Sequence, residues 1–285
     1  MIEIRSYFDT DTNTVTYLVI DVETQSAALI DTVMNYEPHS GALTSKSIDE
    51  VLGEIDVHGL KLEWVLDTHA HADHLSAADY VRAKTGAKIG IGAHIAKVQK
   101  TFKTIFNVQD VSDSGAEFDG LFEEGDEIPL GASRIKVIHT PGHTPACVTY
   151  LIDDAAFVGD TLFMPDYGTA RADFPGGDAR TLYQSIQKIL SLPPKTRIFV
   201  GHDYLPETRE KYIWQTTVEA QLSANIHIPD GTTEDAFVTL REARDKKLKA
   251  PRLILPSLQV NIRAGAMPPE EDDGHVYLKV PVNRI

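Results

Sequence analysis

"LEWVLDTHAHADH", residues 62–74, decides how this chain is read. Leu62, Trp64, Val65 and Leu66 make an apolar strand, and the strand runs straight into His69, His71, Asp73 and His74. The cluster therefore sits on a loop at a strand's C-terminal end, where α/β folds place their chemistry. Histidine nitrogen and aspartate oxygen are ligands for transition metals. Two histidines two residues apart on a loop can face one ion. The Asp-His pair directly after them can serve a second ion or hold the first ligands in place. One such histidine would pass for a surface residue; four ligand-type side chains within six positions point to a metal site.

Three later turns extend the set. "TPGHTPA" carries His143, "FVGDTLF" carries Asp160 and "IFVGHDY" carries His202. Each follows an apolar strand, and in each a glycine precedes the ligand candidate, which lets the backbone turn sharply and approach closely. An aspartate among histidines also supplies the negative charge that a divalent cation requires.

Around these turns the chain alternates strands and helices. "VTYLVI" (15–20) and "AALID" (27–31) read as paired strands. Ile48, Val51, Leu52 and Ile55 have helical spacing over 45–59, with Gly59 as a C-cap. Residues 74–86 read as a helix ending at Gly86, 88–91 as a strand and 93–102 as a helix. Short strands and Gly/Pro turns alternate over 125–163. Residues 178–192 read as a helix opened by Asp178 and closed by Pro193-Pro194, and 197–204 as a last strand. Beyond that the expectation is helix over 207–226 and 233–249, then an irregular, Pro-rich tail over 250–285. The organisation expected is one domain over 1–285: an α/β core to residue 205 and a C-terminal extension over 206–285.

Composition narrows the function classes. A 42% apolar content suits a globular core. The net charge of −15, with no Lys/Arg cluster against it, repels phosphate backbones and argues against a nucleic-acid partner. No apolar run reaches the roughly 18 residues of a membrane span, so a membrane role is not expected. The opening "MIEIRSYFDT" lacks a basic start and an apolar run, and the single cysteine, Cys147, suits a reducing compartment, so the expected location is cytoplasmic. Cys147 opens a strand and reads as a small buried residue rather than a reactive thiol. His39, His58, His94, His227 and His275 read as surface or helix-end residues, and His139, close to His143 in sequence, as a residue that supports the ligands. Arg241, Arg244, Lys246, Lys247 and Lys249 read as a solvated helix face.

His69-x-His71-x-Asp73-His74, followed by His143, Asp160 and His202, resembles the signature of the metallo-β-lactamase superfamily. The resemblance covers nearly the whole chain. It implies an αββα sandwich with the metal site at one edge, here carrying a helical and irregular C-terminal extension. Many members are dinuclear zinc hydrolases. On that pattern His69, His71, His143 and Asp160 would hold one ion, and Asp73, His74, His202 and a bridging Asp160 the other.

"FDTDTNTVTYLVID", "WVLDTHAHADHLSAA", "TPGHTPACVTYLI", "ARADFPGGDARTLYQSI" and "VGHDY" together are similar to the persulfide dioxygenase branch, a relative of glyoxalase II. That similarity implies one Fe(II) per chain on His69, His143 and Asp160, a two-histidine, one-carboxylate set that leaves positions open for a sulfur and O2. His71 would then orient neighbouring ligands. Asp73, His74, His202 and Tyr204 would support catalysis, and Arg171, Asp173 and Tyr204 would bind substrate. The reaction implied takes glutathione persulfide, or a similar small persulfide, with O2 and water to sulfite and thiol in sulfide detoxification. "MPDYGTARADFPGG" (164–177) departs from that branch at Gly168-Thr169-Ala170, where Gly-Cys-Gly is usual, and leaves the carrier thiol open. A salt bridge between Arg171 and Asp173 is the competing role for that pair. The other activity left open is a dinuclear zinc thioester hydrolase of the glyoxalase II type, with two Zn(II) per chain. Family members are often dimers, so a homodimer is also open.

Overall fold

The computed structural model describes residues 1–284. The chain opens with β1 (Ile2–Asp9), β2 (Thr14–Asp21), β3 (Ser26–Ile30), β4 (Val33–Glu37) and β5 (Ala42–Thr44). It continues through α1 (Lys46–Val57), β6 (Lys61–Leu66), β7 (Leu75–Ser76), α2 (Ala78–Thr85), β8 (Lys88–Gly92) and α3 (Ile95–Phe106). Then come β9 (Gly120–Phe122), β10 (Glu127–Leu130), β11 (Ser133–His139), β12 (Val148–Ile152), β13 (Ala155–Phe157) and α4 (Ala179–Leu190). Last are β14 (Arg197–Phe199), β15 (Gln215–Thr217), α5 (Val218–Ala224), α6 (Glu234–Asp245) and α7 (Ile254–Asn261).

Two six-stranded sheets result, ordered β1-β2-β3-β6-β8-β9 and β10-β11-β12-β13-β14-β15, with a small third sheet β5-β4-β7. Strand alternation explains the layering. In β2, Leu18 and Ile20 face the cluster formed with α1, α2 and α3, while Val15, Tyr17 and Val19 face the cluster between the sheets. In β3, Leu29 faces the helices and Ile30 the other sheet. A third cluster seals the outer face of the second sheet, where Leu182, Ile186 and Ile189 of α4 meet Val218 and Phe237. Strands with both faces covered must be apolar on both faces, as β2 and β3 are. Helices cover the outer faces of two facing sheets, the αββα layering that the resemblance implied.

The two sheets are tied at the end that carries the ligand loops. Val15 N–H donates to Gly201 O at 2.9 Å, and Thr14 forms a lone bridge with His202. Two glycines are required there. Gly142 has φ +132°, and a Cβ would fall 2.3 Å from the Leu182 backbone, so α4 can seat against the His143 turn. Gly159 has φ +51°, and a Cβ would fall 2.4 Å from Thr68 Oγ1, so the Asp160 turn can close on the histidine loop.

Two expectations for the C-terminal part need correction. Residues 207–226 are not one helix: β15 joins the second sheet beside β14, and only Val218–Ala224 is helical. Asp203 accepts the Ile213 N–H at 2.7 Å and pairs with Arg209, which holds the preceding segment in an irregular, turn-containing path. The segment 250–285 is not wholly irregular, because it contains α7. Pro256 lies in the first turn of that helix, where its missing N–H has no intrahelical partner to lose. Among the described residues no helix is long and apolar enough to cross a membrane.

Candidate metal centre

The loop after β6 carries His69, His71, Asp73 and His74. The turns after β11, β13 and β14 carry His143, Asp160 and His202. The structure brings all seven together in two adjoining groups. His69, His143 and Asp160 each offer one ligand atom within 4.8 Å of the others, and so do His71, Asp73, His74 and His202. His71 thus falls with the second group. Asp160 stands between them. Its Oδ2 is 3.8 Å from His69 Nε2 and 3.7 Å from His143 Nε2, and its Oδ1 is 3.3 Å from His202 Nε2. His202 Nε2 is also 3.1 Å from Asp73 Oδ2. Atoms about 2.1 Å from a shared ion stand about 3.0–3.4 Å apart, so these separations suit metal ligation with small adjustments.

The outer hydrogen bonds orient the rings. His143 Nδ1 meets the Arg171 carbonyl at 2.8 Å, and His202 Nδ1 meets the Asn13 carbonyl at 3.2 Å. A carbonyl only accepts, so both Nδ1 atoms carry protons and both Nε2 lone pairs face inward. Thr68 gives its hydroxyl proton to Asp31 Oδ2, so it accepts from His69 Nδ1 at 3.0 Å. His71 is reversed: Nε2 donates to Asp31 Oδ1 at 3.0 Å, leaving Nδ1 free. His74 Nδ1 lies 3.3 Å from Thr14 Oγ1. Six inward atoms are buried without a hydrogen-bond partner among the described residues: His69 Nε2, His71 Nδ1, Asp73 Oδ2, His74 Nε2, Asp160 Oδ1 and His202 Nε2. Orphaned polar atoms converging on one space are what a cation would satisfy, so the residues fit a bound metal.

Charge follows the same arrangement. Burial, then the neighbouring His71, holds His69 well below the ordinary histidine range; burial and His74 do the same to His71. Both are neutral ligands at physiological pH. Burial alone would lower His202, but Asp160 and Asp73 outweigh it and raise its pKa. Burial opposes ionisation of Asp73, yet His202 and His74 hold its carboxyl well below the usual range. Burial raises Asp31, and burial reinforced by Asp31 raises Asp67 well above its usual range.

A cavity of about 170 Å³ opens beside the centre, lined in part by His143, Asp160, Tyr167, Tyr204, His227 and Arg244. Tyr204 stacks on His202, ring centroids 5.6 Å apart and planes 18° apart, with Tyr167 5.0 Å beyond it. Tyr204 is 36% exposed overall, but the side of its ring packed against the site is desolvated, and that, then Asp73 and Asp160, raises its phenol above the usual range. Arg171 also lines the cavity, but its fork is paired with Asp173, Nε to Oδ1 at 2.5 Å and Nη2 to Oδ2 at 2.7 Å, and its Nη1 donates to Lys249 O. Asp173 itself lines the neighbouring clefts.

Sequence reasoning misplaced two side chains and missed three. His227 is buried in the cavity wall, not at the surface, because Gly168 and Thr169 pack over its ring. Arg241 is buried, paired with Asp245 and donating to Thr169 O, so that helix face is not wholly solvated. Asp31, Thr68 and Asn261, which position the ligand loop, were not singled out. Asp31 had one local signal, a carboxylate closing an otherwise apolar strand; Asn261 had none, because its partners are distant in sequence.

The Metallo-beta-lactamase superfamily matches residues 9–202, and the chain belongs to it. It is 49% identical over 293 residues to a probable metallo-hydrolase of Burkholderia pseudomallei, covering 99% of each. It spans 65% of the length of a beta-lactamase hydrolase-like protein of Xylella fastidiosa, to which it is 49% identical over 282 residues. Human mitochondrial persulfide dioxygenase ETHE1 is 32% identical over 269 residues, 93% of this chain and 90% of that one. The crystal structure of ETHE1 from Myxococcus xanthus matches with a TM-score of 0.74 at 29% identity, covering 93% of this chain and all of that one.

Proposed function

We propose that this protein is an Fe(II)-dependent dioxygenase that converts a low-molecular-weight persulfide, glutathione persulfide or a close analogue, with O2 and water, to sulfite and free thiol. The observation that carries the reading is the His69–His143–Asp160 group, two imidazole nitrogens and one carboxyl oxygen beside an open cavity. Such a set leaves coordination positions for two reactants. Likeness to the persulfide dioxygenase ETHE1 over 93% of the chain supports it. Iron, when bound, supplies the one-electron chemistry with O2 that zinc lacks.

The chain's own residues do the rest. Asp31 and the Arg171 carbonyl fix which nitrogen of His71 and His143 carries the proton. Asp73 Oδ2, 3.1 Å from His202 Nε2, and the Asn13 carbonyl at Nδ1 hold the His202 ring facing the reacting centre. Tyr204, a phenol throughout, offers its hydroxyl to the substrate from the cavity wall. Arg171, tied to Asp173, shapes the substrate wall, while Arg244 makes no side-chain hydrogen bond or ion pair among the described residues and meets the anionic end of the carrier. The substrate is a small thiol derivative, the setting is the cytoplasm, and neither nucleic acid nor membrane takes part.

A second reading, a dinuclear zinc thioester hydrolase, is favoured by the compact His71–Asp73–His74–His202 group and by the hydrolase name of the Burkholderia relative. There His202 and Asp73 become ligands, and the metal supplies activated water. Metal analysis of anaerobically purified protein, with O2 uptake on adding glutathione persulfide, separates the two. About one iron per chain with persulfide-dependent uptake supports the dioxygenase; two zincs per chain, no uptake and thioester cleavage overturn it.

A further inference from the structure

One side chain in the cavity wall holds a donor that no described residue uses. His227 is 5% exposed. Its Nδ1 accepts the Thr169 N–H at 3.0 Å. An N–H can meet only an unprotonated ring nitrogen, so the neutral imidazole keeps its proton on Nε2. That atom is buried and makes no hydrogen bond among the described residues. A buried donor without an acceptor is unfavourable unless a ligand supplies one.

The ring can neither charge nor turn away. Burial, then Arg244 and Arg241, pushes its pKa down to about 4, so it is neutral wherever the protein works. Gly168 lies so close that a Cβ there would sit 2.2 Å from Nδ1. Asn225 Oδ1 accepts the His227 backbone N–H at 2.9 Å and pins its main chain. The result is a rigid, uncharged N–H in a cavity shared with His143, Asp160 and Tyr204.

We propose that His227 is a specificity-determining residue whose Nε2–H donates to an oxygen, an amide carbonyl or carboxylate, on the organic part of the thiol substrate while the sulfur lies at the metal. The proposal rests on the reading of this site as one for a small thiol derivative, and it holds for persulfide and thioester alike. It selects carriers with an oxygen acceptor several bonds from sulfur over carriers without one.

Two variants separate this role from the support of Thr169. In His227→Asn the shorter side chain keeps an acceptor for the Thr169 N–H and withdraws the distal donor. In His227→Gln the amide N–H reaches toward the Nε2 position. With iron-loaded full-length protein, O2 uptake is compared on glutathione persulfide and cysteamine persulfide, which has neither amide nor carboxylate. The expected result for His227→Asn is a 5- to 10-fold fall in the ratio of the two kcat/KM values, carried by KM, with partial recovery in His227→Gln. The second readout needs no turnover. In zinc-loaded, histidine-labelled protein, glutathione is expected to shift the His227 Nε2–H resonance, identified by its loss in His227→Asn. An unchanged ratio together with an unmoved resonance overturns the proposal and leaves His227 a structural support. No O2 uptake by wild type on either persulfide overturns the dioxygenase reading instead, and the resonance shift still decides His227.

Discussion

Asn261, in the C-terminal helix, donates its side-chain amide to the backbone carbonyl of His71 at 2.8 Å, 190 residues earlier in the chain. The same amide donates to His74 O at 2.8 Å, and its Oδ1 accepts the Ser76 N–H at 2.8 Å. The C-terminal extension is therefore part of the scaffold that shapes the ligand loop. Asn261→Ala leaves three buried backbone groups unpaired. It is expected to lower the unfolding free energy by about 2–4 kcal/mol and weaken metal binding about tenfold or more. Urea unfolding and a chelator competition check both; unaltered metal affinity in the variant would confine Asn261 to a stabilising role.

Asp31 links two ligands from behind. It accepts from His71 Nε2 and from the Thr68 hydroxyl, and that hydroxyl in turn orients His69. Asp31→Asn offers His71 an amide of similar shape that carries no charge. The expected outcome is a 10- to 100-fold loss of metal affinity with the fold intact. Metal content after dialysis against a graded chelator, read beside circular dichroism, tests it. Full retention of metal would mean that the ligands orient themselves.

Much of this centre was legible because ligand spacing and strand ends are local. The run from Leu62 into the histidine loop, and the Gly-His or Gly-Asp turns at 143, 160 and 202, sit where the pattern put them. What failed was long-range. Residues 207–226 are helical only over Val218–Ala224; the residues directly before them are claimed by pairing with β14, a contact no local window contains. Pro256 made 250–285 look irregular, although a first-turn proline suits a helix. His227 looked like a surface histidine because its burial is created by Gly168 and Thr169 from another part of the chain.

Cys147 is close to the site in sequence yet shut away from it. It is 2% exposed, its sulfur meets the Thr144 N–H at 3.3 Å, and burial pushes its thiol up to about 12. The thiolate is the reactive form, so at pH 8 almost none is present. Native protein is expected to resist iodoacetamide at that pH while guanidinium-unfolded protein is alkylated fully, as read by intact mass. Alkylation of the folded protein at a rate near that of a free thiol would show that Cys147 is accessible and reactive.

His227 also makes a prediction about pH and stability. Its pKa is about 4 in the folded chain and near the model-peptide value of 6.5 when unfolded. Above pH 6.5 both states hold it neutral. As pH falls from 6.5 toward about 4, the unfolded chain takes up a proton that the folded chain refuses, so the folded state loses stability across that window. His227→Asn removes this loss while keeping an acceptor for Thr169. The stability of wild type relative to the variant is therefore expected to fall by about 2 kcal/mol, roughly 4–8 °C in Tm, on lowering the pH from 7 to about 4.5. Taking the difference between wild type and variant under matched metal loading cancels the titration of the ligand histidines, which both proteins share. A gap that is constant from pH 7 to 4.5 would mean that the folded chain charges His227 freely.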